Sequence, residues 1–257
     1  MLEVKSIYKS FGGVHAVDGC SFTIREGTIT GLIGPNGAGK TTIFNLIAGA
    51  LIRDEGQILL DGEDISTLPA HKRFHKGIVR TFQIPHEFSR MTVRENLLMV
   101  PAAQPGESLL QSWFAWHKVK AHEAEILTRA EEVLKFLNLF HVAGEAAGNL
   151  SGGQKKLLEL GRAMMTKPRL VLLDEPGAGV NPTLLLELGK MILRLREEQG
   201  YNFCIIEHNM DMIARLCAPI IVMAEGKVLM EGTMQEIRQN HQVREAYLGG
   251  EVEHAAS

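Results

Sequence analysis

The chain has 257 residues, a net charge of −3 and 45% hydrophobic residues, a composition that suits one globular unit with an ordinary core and a subdomain. Its 27 lysines and arginines nearly balance its 30 aspartates and glutamates, so no overall basic field would attract nucleic acid or anionic lipid. We therefore expect partners to be recognised locally, and we expect no nucleic-acid partner.

Signals for a membrane span or a disulfide framework are weak in this sequence. The N-terminal residues lack the layout of a signal peptide, and no apolar run approaches the roughly 20 residues of a membrane span. Any membrane role is therefore expected to be peripheral. The cysteines Cys20, Cys204 and Cys217 show no metal-ligand spacing, which favours reduced thiols in the core of a cytosolic protein.

The first part of the chain is predicted to form mainly strands. Residues Leu2 to Tyr8 and Ser21 to Ile24 alternate apolar and polar side chains, as half-buried antiparallel strands do. Thr28 to Ile33 is instead a short apolar run followed by glycine, which is typical of a buried parallel strand. Thr41 to Ala48 is predicted to be a helix, and Gln57 to Leu60 another strand.

The character of the sequence changes between about Thr92 and Asn149, where helical patterns such as Glu123 to Leu137 replace strands. Strand and helix patterns then alternate, as in a parallel sheet covered by helices, at Leu170–Leu173, Thr183–Glu198, Phe203–Ile206, Asn209–Leu216 and Ile220–Met223. After Gly226 we expect a hairpin, a helix and a tail. The predicted fold class is α/β, with an antiparallel β subdomain and an inserted α-helical subdomain.

A glycine-rich loop between the predicted parallel strand and its helix carries the strongest chemical signal. It consists of Gly34, Pro35, Asn36, Gly37, Ala38, Gly39, Lys40, Thr41 and Thr42. Its glycines allow the backbone to curl so that N–H groups point at phosphate oxygens, while Lys40 reaches the β and γ phosphates and Thr41 offers a hydroxyl to Mg²⁺. The context of strand, loop and helix predicts a nucleotide site rather than a chance glycine turn.

Two adjacent acids, Asp174 and Glu175, follow another predicted core strand. Ligands of parallel sheets bind at the carboxyl ends of the strands. Beside the phosphate loop, Asp174 is therefore predicted to join the Mg²⁺ shell, and Glu175 to orient and deprotonate the attacking water. The alternative interpretation is a solvated strand end without a catalytic function.

A second glycine-rich loop, Leu150 to Gln154 (LSGGQ), is predicted to begin another helix. The hydroxyl of Ser151 and the N–H groups of the helix start at Gly152 and Gly153 form a second place for phosphate oxygens. One chain thus carries two phosphate-binding ends, which suggests that two copies, or two homologous chains, close head to tail over shared ATP. The alternative is that LSGGQ is only a capped helix start.

These two loops resemble those of the ATP-binding cassette (ABC) ATPases, and the resemblance covers nearly the whole chain. It implies a P-loop NTPase (RecA-like) core in a single ABC ATPase domain over residues 1–257, with ATP and Mg²⁺ as cofactors. Residues 1–91 and 159–225 would form the α/β core with the β subdomain, and residues 92–158 the helical subdomain with the signature loop LSGGQ. Residues 226–257 would form the C-terminal hairpin, helix and tail.

The resemblance also assigns roles to isolated residues. Gln83 takes the place of the Q-loop residue, which contacts Mg²⁺ or water and reports nucleotide state to a partner. His208 takes the place of the switch histidine, which bridges the γ phosphate to the catalytic water or to the neighbouring subunit. Phe11 occupies the adenine-stacking position, although a phenylalanine that caps the β layer is an alternative. Glu207, just before His208, is expected to be structural.

Asn181 departs from the family pattern, because many members have an aspartate at this D-loop position. The lost charge puts an ionic contact across the dimer in doubt, although an amide still forms hydrogen bonds. Trp113 and Trp116 fall on one face of a predicted helix, where contact with a membrane partner and packing within the helical subdomain both fit the sequence.

Several segments, among them Gly77 to Gln83 and Glu245 to Gly249, resemble the ATPase subunits of bacterial branched-chain (hydrophobic) amino acid importers. This resemblance implies a homodimer or a heterodimer with a sister ATPase, which docks through the Gln83 to Arg94 region on integral membrane permease subunits. A periplasmic substrate-binding protein would act indirectly. The expected location is peripheral, on the cytoplasmic face of the inner membrane.

Other functions within the same family stay open at this stage. An importer of urea or amides and a lipopolysaccharide-type exporter would use the same motor. An ATPase of DNA repair, chromosome organisation or translation is disfavoured, because the sequence has no zinc modules, no long coiled-coil insert and only one cassette.

Overall fold

The computed structural model describes residues 1–81, 87–101 and 116–254. The chain divides into two compact units, which we call the core unit and the helical unit. The core unit comprises Met1–Gln83, Arg169–Ala178 and Leu185–Ser257, and the helical unit comprises Ile84–Pro168 and Gly179–Leu184. The subdomain boundaries expected at residues 92, 159 and 226 stay a prediction.

An antiparallel sheet opens the core unit. Its strands are β1 (Leu2–Phe11), β2 (Val14–Ile24), β4 (Glu55–Leu60) and β5 (Glu63–Asp64), in the order β2-β1-β4-β5. β1 pairs with β2 from Leu2 opposite Ile24 to Phe11 opposite Val14. The strand predicted at Ser21 to Ile24 is therefore too short, because bulges in this pair disturb the alternation that marks a strand in the sequence.

The second sheet of the core unit is mostly parallel. Its strands are β3 (Ile29–Ile33), β6 (Ile78–Arg80), β7 (Leu170–Asp174), β8 (Asn202–Ile206), β9 (Ile220–Ala224) and β10 (Lys227–Gly232), in the order β10-β9-β3-β8-β7-β6. Every residue of β3, β7, β8 and β9 is buried, as expected of strands covered on both faces. β10 is antiparallel to β9, and Glu225 and Gly226 turn the chain with positive φ angles of 48° and 76°.

Helices cover these sheets and build the helical unit. The core unit contains α1 (Lys40–Ala48), α2 (Ala70–His75), α7 (Met210–Leu216), α8 (Met234–Gln239) and α9 (His241–His254). The helical unit contains α3 (Val93–Leu98), α4 (Trp116–Phe136) and α5 (Gly152–Met165), which pack against one another. α6 (Pro182–Gln199) runs through residues of both units.

The main hydrophobic core lies around α1. The side chains of Ile43, Phe44 and Ile47 are fully buried in one cluster with residues of both sheets, such as Val4 and Leu172. Packing thus fixes α1 along its length, and it thereby also positions the loop that precedes α1.

The sequence missed the elements with the weakest patterns. β5, β6 and α2 were not predicted, because they span two, three and six residues and show no usable periodicity. Of the polar tail predicted at Glu251 to Ser257, the residues up to His254 belong to the helix α9, and residues 255–257 lie outside the described ranges. The start of α9 is set by Asn240, whose side-chain oxygen accepts from the Val243 N–H at 3.1 Å, so this asparagine ends α8 and also caps the next helix.

The described residues include no helix that is long and apolar enough to cross a membrane. The α/β core with an antiparallel sheet and an inserted helical part matches the predicted fold class.

Candidate functional site

The glycine-rich loop lies between β3 and α1, as predicted. Gly34 leaves β3 with φ 153°, and a Cβ there would lie 2.0 Å from the carbonyl oxygen of Met223. Gly39 caps α1 in the left-handed conformation, and a Cβ there would lie 2.3 Å from the carbonyl oxygen of Ala16. Both positions require glycine, because backbone from neighbouring strands occupies the space of a side chain.

The Lys40 side chain lies over this loop. Its ammonium donates to the carbonyl oxygens of Gly34 and Pro35, each at 2.8 Å. Burial lowers the pKa of Lys40, and the negative charges of Glu175 and Asp174 oppose that effect. These charges act on Lys40 because the end of β7 and the start of α1 meet at one edge of the sheet.

The C-terminal helix reaches the beginning of the same loop. The Tyr247 hydroxyl is buried, and burial raises the pKa of Tyr247 to about 12 although the Gly34 N–H opposes the shift. The N–H thus faces the phenol oxygen, but the hydroxyl makes no hydrogen bond of ordinary geometry with the described residues. Tyr247, which belongs to the segment that carried part of the resemblance, therefore lies beside the phosphate loop.

Asp174 ends β7 and is buried, with its side chain 4% exposed. Its Oδ2 accepts from Nη2 of Arg80 at 2.7 Å, and Arg80 also donates through Nη1 to the amide oxygen of Asn45 on α1. This ion pair was not predicted, because Arg80 ends the short strand β6, which was itself not predicted.

Glu175 adopts a backbone conformation that is rare outside glycine. Its φ is 49°, and its N–H donates to the carbonyl oxygen of Ile206 on β8 at 2.9 Å. Left-handed conformations of this kind cluster at functional sites. Its Oε1 lies 3.1 Å from Nε2 of His208, so the structure brings the predicted catalytic acid and the predicted switch histidine together.

Glu207 is a residue that sequence reasoning undervalued. Its buried carboxylate accepts the N–H of Gly177 at 2.5 Å through Oε1, and those of His208 and Asn209 at 3.0 and 3.2 Å through Oε2. It therefore holds the turn after Glu175 against the turn that carries His208. The expected structural role fits, and it positions both members of the predicted catalytic pair, Glu175 and His208.

Phe11 ends β1 beside the Gly12-Gly13 turn, and its ring is 46% exposed. Lys9 Nζ lies 5.4 Å from the ring centroid and 2.6 Å from Asp54 Oδ1. At this exposure the ring keeps a surface available to a ligand, and the Lys9 ammonium, which pairs with Asp54, lies near the ring. The adenine-stacking role stays a prediction.

The second glycine-rich loop begins α5 in the helical unit. The Ser151 hydroxyl accepts from the Gln154 N–H at 3.3 Å, and the Gln154 side-chain oxygen accepts from the Ser151 N–H at 3.0 Å. This reciprocal pair is a capping box, so the LSGGQ motif forms a capped helix start. Its predicted contact with phosphate would be an additional function. Ser151 and Gly152 are exposed, and the hydroxyl hydrogen of Ser151 is not used by the cap.

The two glycines of this loop differ in their surroundings. A Cβ on Gly152 would meet no atom within 4 Å, whereas a Cβ on Gly153 would lie 1.8 Å from Cδ2 of Leu184. Leu184 belongs to the segment that starts α6, and its N–H donates to the side-chain oxygen of Asn181 at 2.9 Å. Asn181 is thus a helix cap, a position that asparagine and aspartate fill equally well.

Some predicted residues lie outside the described ranges. These are Gln83 and Trp113; Trp116 is the first residue of α4. Among the described residues, no group of three or more His, Cys, Asp or Glu side chains is arranged as a metal site.

The comparisons with known proteins identify the family. Residues 17–178, more than half of the chain, match the family described as ABC transporter. The chain belongs to the ABC transporter family. Residues 227–253 match a second family, described as branched-chain amino acid ATP-binding cassette transporter.

Near full-length relatives agree with this family. The chain is 42% identical over 98% of its length, and 96% of the relative's, to the probable branched-chain amino acid transport ATP-binding protein LivG of Archaeoglobus fulgidus. It is 41% identical over 97% of its length, and 98% of the relative's, to the high-affinity branched-chain amino acid transport ATP-binding protein BraF of Pseudomonas aeruginosa.

Solved structures give the same fold. A nucleotide-free ATP-binding cassette from an ABC transporter has a TM-score of 0.83 and 40% identity, over 96% of this chain and 98% of that one. The predicted P-loop NTPase fold is confirmed. As an ABC ATPase, the chain binds ATP and hydrolyses it to drive transport.

Proposed function

We propose that this ABC ATPase drives the import of branched-chain or other hydrophobic amino acids through separate permease subunits. The observation that carries the substrate class is the match of residues 227–253 to the branched-chain amino acid cassette family, together with two relatives named for branched-chain amino acid transport. We place the chain at the cytoplasmic face of the inner membrane as a peripheral subunit that a periplasmic binding protein serves indirectly.

ATP binds at the loop from Gly34 to Thr42. The ammonium of Lys40 exchanges the carbonyl oxygens of Gly34 and Pro35, at 2.8 Å, for phosphate oxygens. The pKa of Lys40 is lowered because the ammonium is partly buried. The negative charge of a bound phosphate would raise this pKa again by stabilising the ammonium form. The exposed ring of Phe11 offers a face for the adenine.

The donor set fits Mg²⁺ bound together with the nucleotide. Mg²⁺ prefers hard oxygen ligands and commonly uses one or two carboxylates with substrate phosphates, which agrees with one buried carboxylate at Asp174 and the hydroxyl of Thr41. When bound, it would neutralise charge on the β and γ phosphates. Gln83, which lies outside the described residues, stays a predicted ligand.

Glu175 serves as the base and His208 orients it. The 3.1 Å contact lets an Nε2–H of the imidazole donate to Oε1, which orients the carboxylate that would accept a proton from water. Glu207 holds both turns, so the pair is positioned before substrate arrives.

The signature loop acts on the nucleotide of a second subunit. Ser151 and Gly152 are exposed, and the cap leaves the Ser151 O–H free to donate to a phosphate oxygen. Gln154 contributes through the cap that fixes the loop. The partner is a second copy or a sister ATPase.

The permease docks on the helical unit, next to the predicted Gln83 to Arg94 region. A groove of about 430 Å³ lies there, with an apolar floor that includes Met91, Met99 and Leu127 and with Glu95 and Glu123 among its lining residues. Met99, which is 59% exposed, and Leu127, which is 41% exposed, bring apolar surface together in this groove. We propose a permease helix with apolar and basic side chains as the occupant.

The test is the ATPase activity of the complex in proteoliposomes with its permease and binding protein. We expect stimulation when the binding protein is loaded with leucine, isoleucine or valine. Stimulation by urea or another amide alone would overturn the substrate class, and stimulation by a lipid substrate without any binding protein would overturn import.

A further inference from the structure

Arg80 connects the catalytic edge of the sheet to the phosphate-loop helix. Its guanidinium contacts Asp174 Oδ2 at 2.7 Å and the Asn45 amide oxygen, and its side chain is only 12% exposed. Asn45 lies on α1, five residues after Lys40. One planar group therefore spans β6, β7 and α1 at their shared edge.

We propose that Arg80 is a positioning residue that orients the Asp174 carboxylate for the metal. Arg80 occupies Oδ2 and so leaves Oδ1 for a metal or for its bound water. The helix α1 is packed in the core, so the hydrogen bond to Asn45 fixes the position of the guanidinium. The fixed guanidinium in turn holds the Asp174 carboxylate in one orientation. This inference rests on the proposed role of Asp174 in holding Mg²⁺.

The burial and the charge of Asp174 explain why it needs the Arg80 side chain beside it. A carboxylate that is 4% exposed needs a compensating charge before any metal arrives, and the Arg80 guanidinium supplies it. Arginine suits this task because its donors form a rigid fork that fixes both partners at once, whereas lysine offers a point charge.

The test measures metal binding directly. Mn²⁺ replaces Mg²⁺ as a paramagnetic probe, and its binding to the full chain with a non-hydrolysable ATP analogue is followed by EPR. We expect Arg80→Met to weaken Mn²⁺ binding about tenfold. The affinity for fluorescent MANT-ATP without metal should stay unchanged, and Arg80→Lys should recover only part of the metal affinity, because it keeps the charge but lacks the fork that holds Asp174 and Asn45 at once.

Two further variants make the outcome decisive. Asn45→Ala keeps the ion pair but removes its anchor, so we expect a smaller but measurable loss of Mn²⁺ affinity, and this variant replaces Arg80→Met if the latter does not fold. Unchanged or tighter Mn²⁺ binding in the folded variants would overturn the inference. If Asp174→Asn also leaves Mn²⁺ binding unchanged, the proposed metal role of Asp174 fails; if only Asp174→Asn weakens it, the role of Arg80 alone fails.

Discussion

Nε2 of His208 lies 3.1 Å from Oε1 of Glu175, across two neighbouring parallel strands. The two side chains follow strands β8 and β7, so the order of the sheet places them together although they are 33 residues apart in the chain. The left-handed backbone of Glu175 and the carboxylate of Glu207 fix the turns on both sides. This geometry supports the proposed role of Glu175 as a base that the His208 imidazole orients.

Replacing the histidine should therefore affect turnover more than binding. We expect His208→Ala to lower kcat for ATP about 100-fold, because Glu175 loses the donor that orients it. MANT-ATP affinity should change little, since Lys40 and the loop are intact. The matched control is His241→Ala, an exposed histidine that pairs with Glu245 at 3.3 Å on α9. A variant of His208 with full turnover would remove it from the catalytic pair.

The two glycines of the signature loop should separate folding from association. Gly153→Ala places a methyl group against Leu184, and we expect it to lower the free energy of unfolding by about 1–3 kcal/mol. Gly152→Ala meets open space, so its melting temperature should stay near that of the parent. We nevertheless expect Gly152→Ala to weaken ATP-dependent association, because its Cβ would lie at the proposed contact with the phosphate of the second subunit. Thermal unfolding and light scattering measure the two effects; equal melting temperatures for both variants would contradict the packing argument.

The groove of the helical unit should matter only in the complex. Met99→Ser and Leu127→Ser change exposed side chains, so the ATPase activity of the isolated chain should stay unchanged. Stimulation of the ATPase by the loaded binding protein should fall, because the apolar surface offered to the permease is lost. Ile52→Ser, at a residue that is 78% exposed in the core unit, is the control. Full stimulation in both groove variants would place the permease elsewhere.

The cysteines should be unreactive in the folded chain. Burial raises the pKa of Cys20 and of Cys217 to about 12 and raises that of Cys204 as well. The thiolate is the reactive form, so at pH 8 we expect no reaction of native protein with DTNB and reaction of all three thiols in guanidinium chloride. Rapid reaction of a native thiol would contradict its burial.

The same shifts have a consequence for stability. Folding raises these pKa values above the ~8.5 of an exposed thiol, so the unfolded state ionises first as pH rises. The contribution of the thiols is fully present below about pH 8.5 and falls progressively toward pH 12. In the Cys217→Ala variant, the free energy of unfolding should therefore change less with pH between about pH 8.5 and pH 12.

The sequence identified the parts of the site that local chemistry defines. The phosphate loop, the strand end at Asp174 and Glu175, and the helix start at Ser151 each combine a special residue type with a recognisable neighbouring element. The resemblance located His208, and the structure places it against Glu175. Phosphate-binding and cap residues are readable because their function depends on backbone that is close in sequence.

Two contacts of the site that the sequence did not reveal are long-range. Arg80 meets Asp174 across 94 residues, and Glu207 meets Gly177 across 30 residues. Neither side chain belongs to a local motif, so only the strand order β8-β7-β6 explains why they meet. For Asn181, the family pattern suggested a lost charge, whereas the structure shows a helix cap that needs only an oxygen.

The most direct test of the shared-nucleotide account is the mass of Glu175→Gln in solution. The amide keeps the shape of the side chain but cannot take a proton, so bound ATP should persist. Light scattering after size exclusion should show a monomer without nucleotide and a dimer with Mg-ATP. A monomer under both conditions, at a concentration that saturates ATP binding, would contradict a homodimer in which Ser151 and Gly152 meet the second phosphate loop.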